Sequence, residues 1–151
     1  MGVRCSCGAL VSATKENVNV KFVGINGNVK GTITYLADVC ADTLDTSTLS
    51  LTFVNNDGGT DTSFTFEVNP LLAGTEITSV TCKREGNTCV VTVTGVGQKS
   101  GFGGAALLAF TAVFRDGPAV DNVQSFDIPG FFAQTGAEPL PNGSITALGC
   151  A

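Results

Sequence analysis

Residues 18–35 read VNVKFVGINGNVKGTITY. On each side of Asn26 and Gly27, apolar side chains alternate with polar ones, and this period of two is typical of a strand with one buried face. Asn-Gly is the pair that best supplies the positive φ angles of a two-residue hairpin turn. The stretch therefore predicts a β-hairpin whose first strand turns Val18, Val20 and Phe22 toward the core.

The same pattern recurs along the rest of the chain. Residues 49–53 and 64–68 flank a turn rich in Asn, Asp and Gly, and residues 77–82 and 89–96 flank a polar turn. Further strands are predicted over residues 107–115, 123–128 and 144–148. No segment repeats apolar residues at intervals of three and four over the length that a helix needs. We therefore predict an all-β fold of roughly eight or nine strands, a two-sheet sandwich and most simply a jelly roll.

The chain is predicted to be one domain preceded by a short extension. Residues 1–14 are small and polar near the tip, so we predict an N-terminal connector over 1–14 and the sandwich domain over 15–151. At about 3.3 Å per residue, an extended connector reaches a neighbouring molecule. The predicted core consists of the apolar residues that alternate along the strands: Val18, Val20, Phe22, Ile33, Tyr35, Leu49, Leu51, Phe53, Phe64, Phe66, Val91, Val93, Phe110, Val113 and Phe126.

Charge and hydropathy limit the partners that the chain can bind. Its net charge is −5, and without a basic stripe we expect it to bind neither nucleic acid nor an anionic membrane surface. Charged residues make up 14% of the chain, against about 25% in an average domain. We therefore expect part of the surface to be buried against copies of the same chain. No apolar run reaches the roughly 18 residues of a membrane span, and no export signal is recognisable.

The composition also argues against an enzyme. The chain contains no histidine, which is the commonest general base and the usual partner of a serine or cysteine nucleophile. Its aspartates fall mostly in turns, where a carboxylate supports the backbone geometry. The loop 55–61 offers several oxygen atoms but lacks the spacing and the closing glutamate of a calcium loop. We predict no catalytic residue, no metal site and no cofactor.

Six cysteines are the remaining chemical feature, and three interpretations of them stay open. A zinc site is one, although the common Cys-x-x-Cys spacing is missing. A set of bonds within one chain is another, and some of its many pairings tie both ends to the body. In the third, Cys82 and Cys89 face each other across the third hairpin and pair within the chain. The remaining thiols then bond between neighbours, and these are Cys5, Cys7, Cys40 and Cys150.

The layout of a short connector with clustered cysteines, followed by a compact β-rich domain with further cysteines, resembles the subunits of endospore appendages. In these spore pili of spore-forming Firmicutes, a jelly-roll subunit pairs edge strands with its neighbours, and its connector forms disulfides in a preceding subunit. The resemblance implies that Cys5 and Cys7 are the connector thiols and that Cys40 and Cys150 are their acceptors. Here Ser6 separates the connector pair, and the body has extra loops at 97–104 and 139–143.

The sequence thus predicts a structural fibre subunit, polymerised by strand pairing and by intersubunit disulfides of the connector. Exposed sheet edges template such pairing, and this chain has few charges to suppress it. Its partners are other copies of itself and an anchor protein of the spore or cell surface. The expected location is the spore surface or the extracellular space, reached without a recognisable signal peptide. The alternative is a monomeric, disulfide-stapled binding module of the adhesin type, which holds a ligand in the loops 55–61 or 97–104.

Overall fold

The computed structural model describes residues 5–58 and 61–150 of the chain. In these residues it has eleven strands and one short 3-10 helix, Ala41–Thr46. The strands are β1 (Gly8–Phe22), β2 (Val29–Cys40), β3 (Thr48–Asn55), β4 (Phe64–Val68), β5 (Glu76–Glu85), β6 (Thr88–Gly101), β7 (Ala106–Asp116), β8 (Asp121–Ile128), β9 (Phe132–Gln134), β10 (Glu138–Leu140) and β11 (Ile145–Leu148). The all-β prediction is confirmed. No helix in this part of the chain is long and apolar enough to cross a membrane.

The strands belong to one sheet that closes on itself. The sheet order runs β8-β7-β6-β4-β3-β2-β1, and the short strand β9 pairs with both β1 and β8. Ala133 of β9 lies opposite Lys21 of β1 and opposite Asp127 of β8. The result is an eight-stranded barrel made of one closed sheet, whereas the sequence predicted two separate sheets packed face to face. The closing strand has only three residues, which is too few for alternation to reveal it.

The three predicted hairpins are all present, but the two-residue turn predicted at Asn26 and Gly27 is wrong. Residues 23–28 join β1 to β2, and positive φ angles occur there at Gly24 and Gly27 but not at Asn26. β1 pairs with β2, with Val20 opposite Val29, and β3 pairs with β4, with Leu51 opposite Phe66. β5 and β6 form the third hairpin. The strands β7, β8 and β11 cover the three further strands that the alternation predicts.

The barrel interior is a packed core. All of the predicted core residues are buried except Val113, which is half-buried. The inward side chains of β7 are Phe110, Ala112 and Phe114, and Val113, being out of phase with them, points the other way. The core is nevertheless where the sequence pattern placed it, because burial requires one alternating face on every strand.

The stretch 97–104, predicted to be a loop, mostly continues β6, which ends at Gly101. Gly97 lies on the inward face of β6, and a Cβ added there would overlap the ring of Phe66. A glycine within a strand often marks such a close approach. Gly97 therefore provides the room for an aromatic ring inside a narrow barrel.

The predicted N-terminal connector is not separate in this structure. From residue 8 onward it is the first half of β1, which pairs with β2 on one side and, over residues 8–11, with β11 on the other. Two of its apolar residues, Ala9 and Val11, are buried. The register with β2 shifts at residues 16–17, close to the predicted domain boundary. Residues 1–4 lie outside the described part of the chain.

Candidate functional site: three disulfides at one end of the barrel

The six cysteines meet at one end of the barrel. β1 and β6 begin there, and β2, β5 and β11 end there, because antiparallel pairing places these termini side by side. The structure forms three disulfides, and they are Cys5–Cys40, Cys7–Cys82 and Cys89–Cys150. Each bond joins segments that are distant in the sequence. Together they attach both ends of the described chain to the barrel.

The predicted Cys82–Cys89 bond is not formed, and the hairpin register explains why. The prediction assumed a turn over residues 83–88, but Glu85 lies opposite Thr88, so only Gly86 and Asn87 make the turn. Cys82 then lies opposite Val91 instead of Cys89. Diagonal neighbours across two strands have α-carbons about 7–8 Å apart, whereas a disulfide usually needs about 4.4–6.8 Å.

The four cysteines predicted to bond between subunits are all paired within this chain. Cys5 is bonded to Cys40, and Cys7 to Cys82. Cys150, predicted as an acceptor for the connector, is bonded to Cys89. This pairing corresponds to the interpretation in which disulfides tie both ends of one chain to its body.

Between the two N-terminal cysteines, Ser6 holds the segment to the 3-10 helix. Its backbone N–H and its hydroxyl each donate to the carboxylate of Asp42, at 2.8 Å in both cases. These two hydrogen bonds hold the pKa of Asp42 below its ordinary value. The backbone N–H of Ala41 also donates to the carbonyl of Cys7 at 2.8 Å. The N-terminal segment is thus fixed by hydrogen bonds as well as by its two bridges.

The C-terminal segment is held by two aspartates that flank the β7–β8 turn, the half-buried Asp116 and the buried Asp121. Asp121 is fully buried, and one of its carboxylate oxygens accepts from the backbone N–H groups of Gly143 and Ile145, both at 2.9 Å. The carboxylate of Asp116 accepts from the N–H of Ala147 at 2.8 Å. These carboxylates accept hydrogen bonds from β11 that a neighbouring strand would otherwise accept. They therefore help to hold β11 in place beside β1.

Two of the disulfides lie close together. The sulfur atoms of Cys82, Cys89 and Cys150 all lie within 4.8 Å of one another, although Cys82 is bonded to Cys7. A guanidinium nitrogen of Arg84 donates to the carbonyl of Cys150. A shallow cleft opens onto the Cys89–Cys150 bond, and it is lined by Arg84, Asn87, Asp116, Gly117 and Pro118. Solvent therefore reaches the edge of the sulfur cluster, where Cys82 and Cys150 are half-buried.

The opposite end of the barrel carries a buried cation. Lys99 is only 4% exposed, its ammonium donates to the carbonyl of Phe102 at 2.7 Å, and it lies 4.7 Å from the ring centre of Phe131. A cleft of about 340 Å³ beside it is lined by Ile25, Val29, Asn55, Asp57, Gly58, Thr62 and Phe102. The ends of the predicted loops 55–61 and 97–104 thus meet here.

The loop 55–61 uses its acidic side chains to support the backbone. Asp57 accepts from the N–H of Lys30 at 2.8 Å, and Asp61 accepts from the N–H of Ser63 at 3.0 Å. Residues 59 and 60 lie outside the described residues. The carboxylates that suggested a calcium loop therefore act as turn acceptors in this structure.

Sequence reasoning missed four residues of these two ends. Lys99 continues the alternating inward face of Val91 and Val93, and extending that period through residue 97 could have revealed it. Ser6, Asp42 and Asp121 carry no local signal, because their partners are distant in the sequence.

Comparison of the chain with protein-family models, with curated proteins and with solved structures finds no match.

Proposed function

We propose that this chain is a structural fibre subunit that polymerises by exchanging residues 5–15, which comprise the N-terminal cysteines and the first half of β1, between copies. These residues are called the exchange segment below. The proposal keeps the fibre function that the sequence suggests, as in endospore appendages, and changes the disulfides that would cross-link it. The observation that carries it is that the exchange segment is a strand inserted between β2 and β11 and bonded to the body by both of its cysteines.

The exchange segment ends at a bulge that can serve as a hinge. The β1–β2 register shifts at residues 16–17, and Asn17 has a φ of 59°, a left-handed conformation that asparagine adopts more readily than most residues. On the side away from β2, β11 pairs with residues 8–11 and β9 with residues 20–22. The bulge thus separates two independently paired halves of β1. The first half can leave while the second keeps the barrel closed.

The two bridges of the exchange segment fit an exchanged arrangement as well as the closed one. In a swapped assembly an element makes with a neighbour the contacts that it otherwise makes at home. Cys5 then bonds Cys40 of the next copy, and Cys7 bonds its Cys82. Cys150 stays bonded to Cys89 of its own chain, so it is not an acceptor in this proposal.

The same exchange gives an open chain of subunits. Extended, the exchange segment spans roughly 36 Å, which is enough to leave its own barrel. When it fills the slot between β2 and β11 of a neighbour, that neighbour's segment is free to do the same. A head-to-tail contact that does not close on itself produces a filament, and bonds along it make dissociation depend on reduction.

Apolar side chains around the slot favour contacts between copies. Leu10 and Leu36 are each 47% exposed, and Leu148 is 37% exposed. Leu36 lies opposite Ser12 of β1, two residues from Leu10, so both leucines share the outward face. Exposed apolar groups of this kind often mark an interaction surface.

The test is electrophoresis after boiling, with and without reductant, followed by electron microscopy of the same samples. The full chain is reduced, concentrated and reoxidised beforehand. We expect a ladder that reductant removes, together with fibres. Replacing all four cysteines of the two N-terminal bridges by serine should abolish the ladder. The matched control, Cys89→Ser with Cys150→Ser, should keep it. A single monomer band and no fibres would contradict the proposal.

One other function is favoured by a specific observation, the pairing of all six cysteines within one chain. A monomeric binding module would use the cleft beside Lys99, whose volume of about 340 Å³ lies within the range of small-molecule sites. The same gel and images decide between the two functions, because a module of this kind remains a monomer after reoxidation.

A further inference from the structure

The sulfur cluster at the end of the barrel has a geometry that the disulfides alone do not require. Cys82, Cys89 and Cys150 place their sulfur atoms within 4.8 Å of one another, yet only Cys89 and Cys150 are bonded together. The third of these cysteines, Cys82, is bonded to a fourth, Cys7. Four cysteines from four separate segments therefore converge on one point: β5, β6, and the two ends of the described chain.

Thiolates at this spacing suit a tetrahedral soft cation. Structural zinc is commonly held by four cysteines with Zn–S distances of about 2.3 Å, which places neighbouring sulfurs about 3.8 Å apart. The sulfur of Cys82 lies within 4.8 Å of both sulfurs of the Cys89–Cys150 bond, so once that bond is reduced, small side-chain rotations bring the three to this spacing. Cys7 precedes the first strand and joins them by rotation of its side chain once its bond to Cys82 is open.

The surroundings also favour such a centre. Zinc with four thiolates carries a net negative charge, and Arg84 lies beside it, bonded to the carbonyl of Cys150. The cleft onto Cys89 and Cys150 gives a metal ion access from solvent. A guanidinium next to a thiolate cluster lowers its electrostatic cost.

We propose that the reduced chain binds one zinc ion through Cys7, Cys82, Cys89 and Cys150, and that the disulfides replace this metal when the chain is oxidised. Each disulfide that forms passes a pair of electrons to an acceptor such as a small-molecule disulfide, which becomes two thiolates, and the zinc ion is released. The metal would hold the two ends of the chain against β5 and β6 wherever disulfides cannot persist. This site does not depend on the proposed fibre function.

The test measures zinc bound by the full chain after anaerobic reduction, addition of Zn²⁺ and gel filtration. We expect about one Zn²⁺ per reduced chain and none on the oxidised chain. Substituting Co²⁺ should give the intense thiolate-to-cobalt absorption of a tetrahedral sulfur site. Circular dichroism of each sample reports whether the chain is folded.

Two double variants separate the cluster from the other bridge. Cys89→Ser with Cys150→Ser should lose the bound zinc, whereas Cys5→Ser with Cys40→Ser should keep it. Cys150→His should also keep zinc, since imidazole is a zinc ligand, although it cannot form the Cys89–Cys150 bond.

Absence of zinc from the folded, reduced wild-type chain would overturn the proposal, and so would an equal loss in both double variants. If the reduced chain unfolds, the proposal requires added Zn²⁺ to refold it, and failure to refold counts against the site. Failure of the fibre experiment leaves these outcomes unchanged.

Discussion

Gly149 lies directly against the main-chain carbonyl of Ser6, so the two ends of the described chain touch. A Cβ on Gly149 would overlap that carbonyl and would come 3.0 Å from the α-carbon of Cys7. The φ of Gly149 is 88°, in the left-handed region that favours glycine. The contact brings the exchange segment and the C-terminal segment together at the three disulfides, and any release of residues 5–15 must break it.

Gly149→Ala should therefore destabilise the oxidised protein by about 3 kcal/mol, from left-handed strain and overlap with Ser6 combined. Chemical denaturation measures the loss. Gly143→Ala is the matched control, since Gly143 has a φ of 95° but nothing near its Cβ position. The control should show the strain alone, about 1 kcal/mol. Equal losses in the two variants would show that the contact with Ser6 carries no energy.

Removal of the Asp121 carboxylate should loosen the C-terminal segment. Asp121→Ala leaves the N–H groups of Gly143 and Ile145 without their acceptor, and an unsatisfied buried group costs about 1–3 kcal/mol. We expect a loss near the top of that range, together with faster hydrogen exchange at Ile145. Asp127→Ala, on an exposed position of the same strand, is the control and should change stability by less than about 0.5 kcal/mol. Unchanged exchange at Ile145 in Asp121→Ala would contradict this role.

Gly97→Ala should strain the barrel core, because the added methyl group meets the ring of Phe66. Overpacking of this kind costs about 1–3 kcal/mol. Gly136→Ala is a control in open space without left-handed strain, and it should be neutral or slightly stabilising. Thermal unfolding of both variants checks the prediction, and a Gly97→Ala protein as stable as the control would argue against the packing of Phe66 on residue 97.

The stabilisation that comes from the hydrogen bonds of Ser6 to Asp42 of the 3-10 helix should depend on pH. The pKa of Asp42 is lowered by the hydroxyl and backbone hydrogen bonds of Ser6. Because the folded-state pKa is depressed, the stabilisation is present above the unfolded-state pKa and is lost as the pH falls through the folded-state value. NMR titration of the Asp42 carboxyl carbon should find a pKa below 3.8, the ordinary value. Ser6→Ala should raise it, and an unchanged titration in that variant would rule out the side-chain bond.

Alternation along the strands was enough to predict an all-β chain, the strand pairs of the three hairpins and nearly all of the core. Residues such as Val20 and Phe66 were identifiable because one face of each strand must be apolar, whatever the strand pairs with. Closure of the barrel was not predictable, since it depends on a three-residue strand that pairs with β1 and β8 at once.

The predicted cysteine pairing was wrong because it was inferred from one hairpin, whereas the observed bonds join segments that are distant in the sequence. A change in turn length from six residues to two, at Gly86 and Asn87, moves Cys82 from opposite Cys89 to opposite Val91. The partner of Cys82 is instead Cys7, and the two are brought together only by the path of β1 past β5. Asp121 was likewise hidden, because an aspartate in a turn looks the same in sequence whether it faces solvent or accepts buried N–H groups.

Exchange of residues 5–15 between copies is tested most directly with two isotopic forms of the chain. Equal amounts of ¹⁴N and ¹⁵N protein are reduced, mixed, reoxidised at high concentration and digested with trypsin without reductant. Residues 5–15 and 31–83 then form one bridged pair of peptides, and the peptides that contain Cys89 and Cys150 form the other. We predict mixed ¹⁴N–¹⁵N masses for the first pair and only unmixed masses for the second. Unmixed masses for both pairs would show that the exchange segment stays in its own barrel, and would contradict the account.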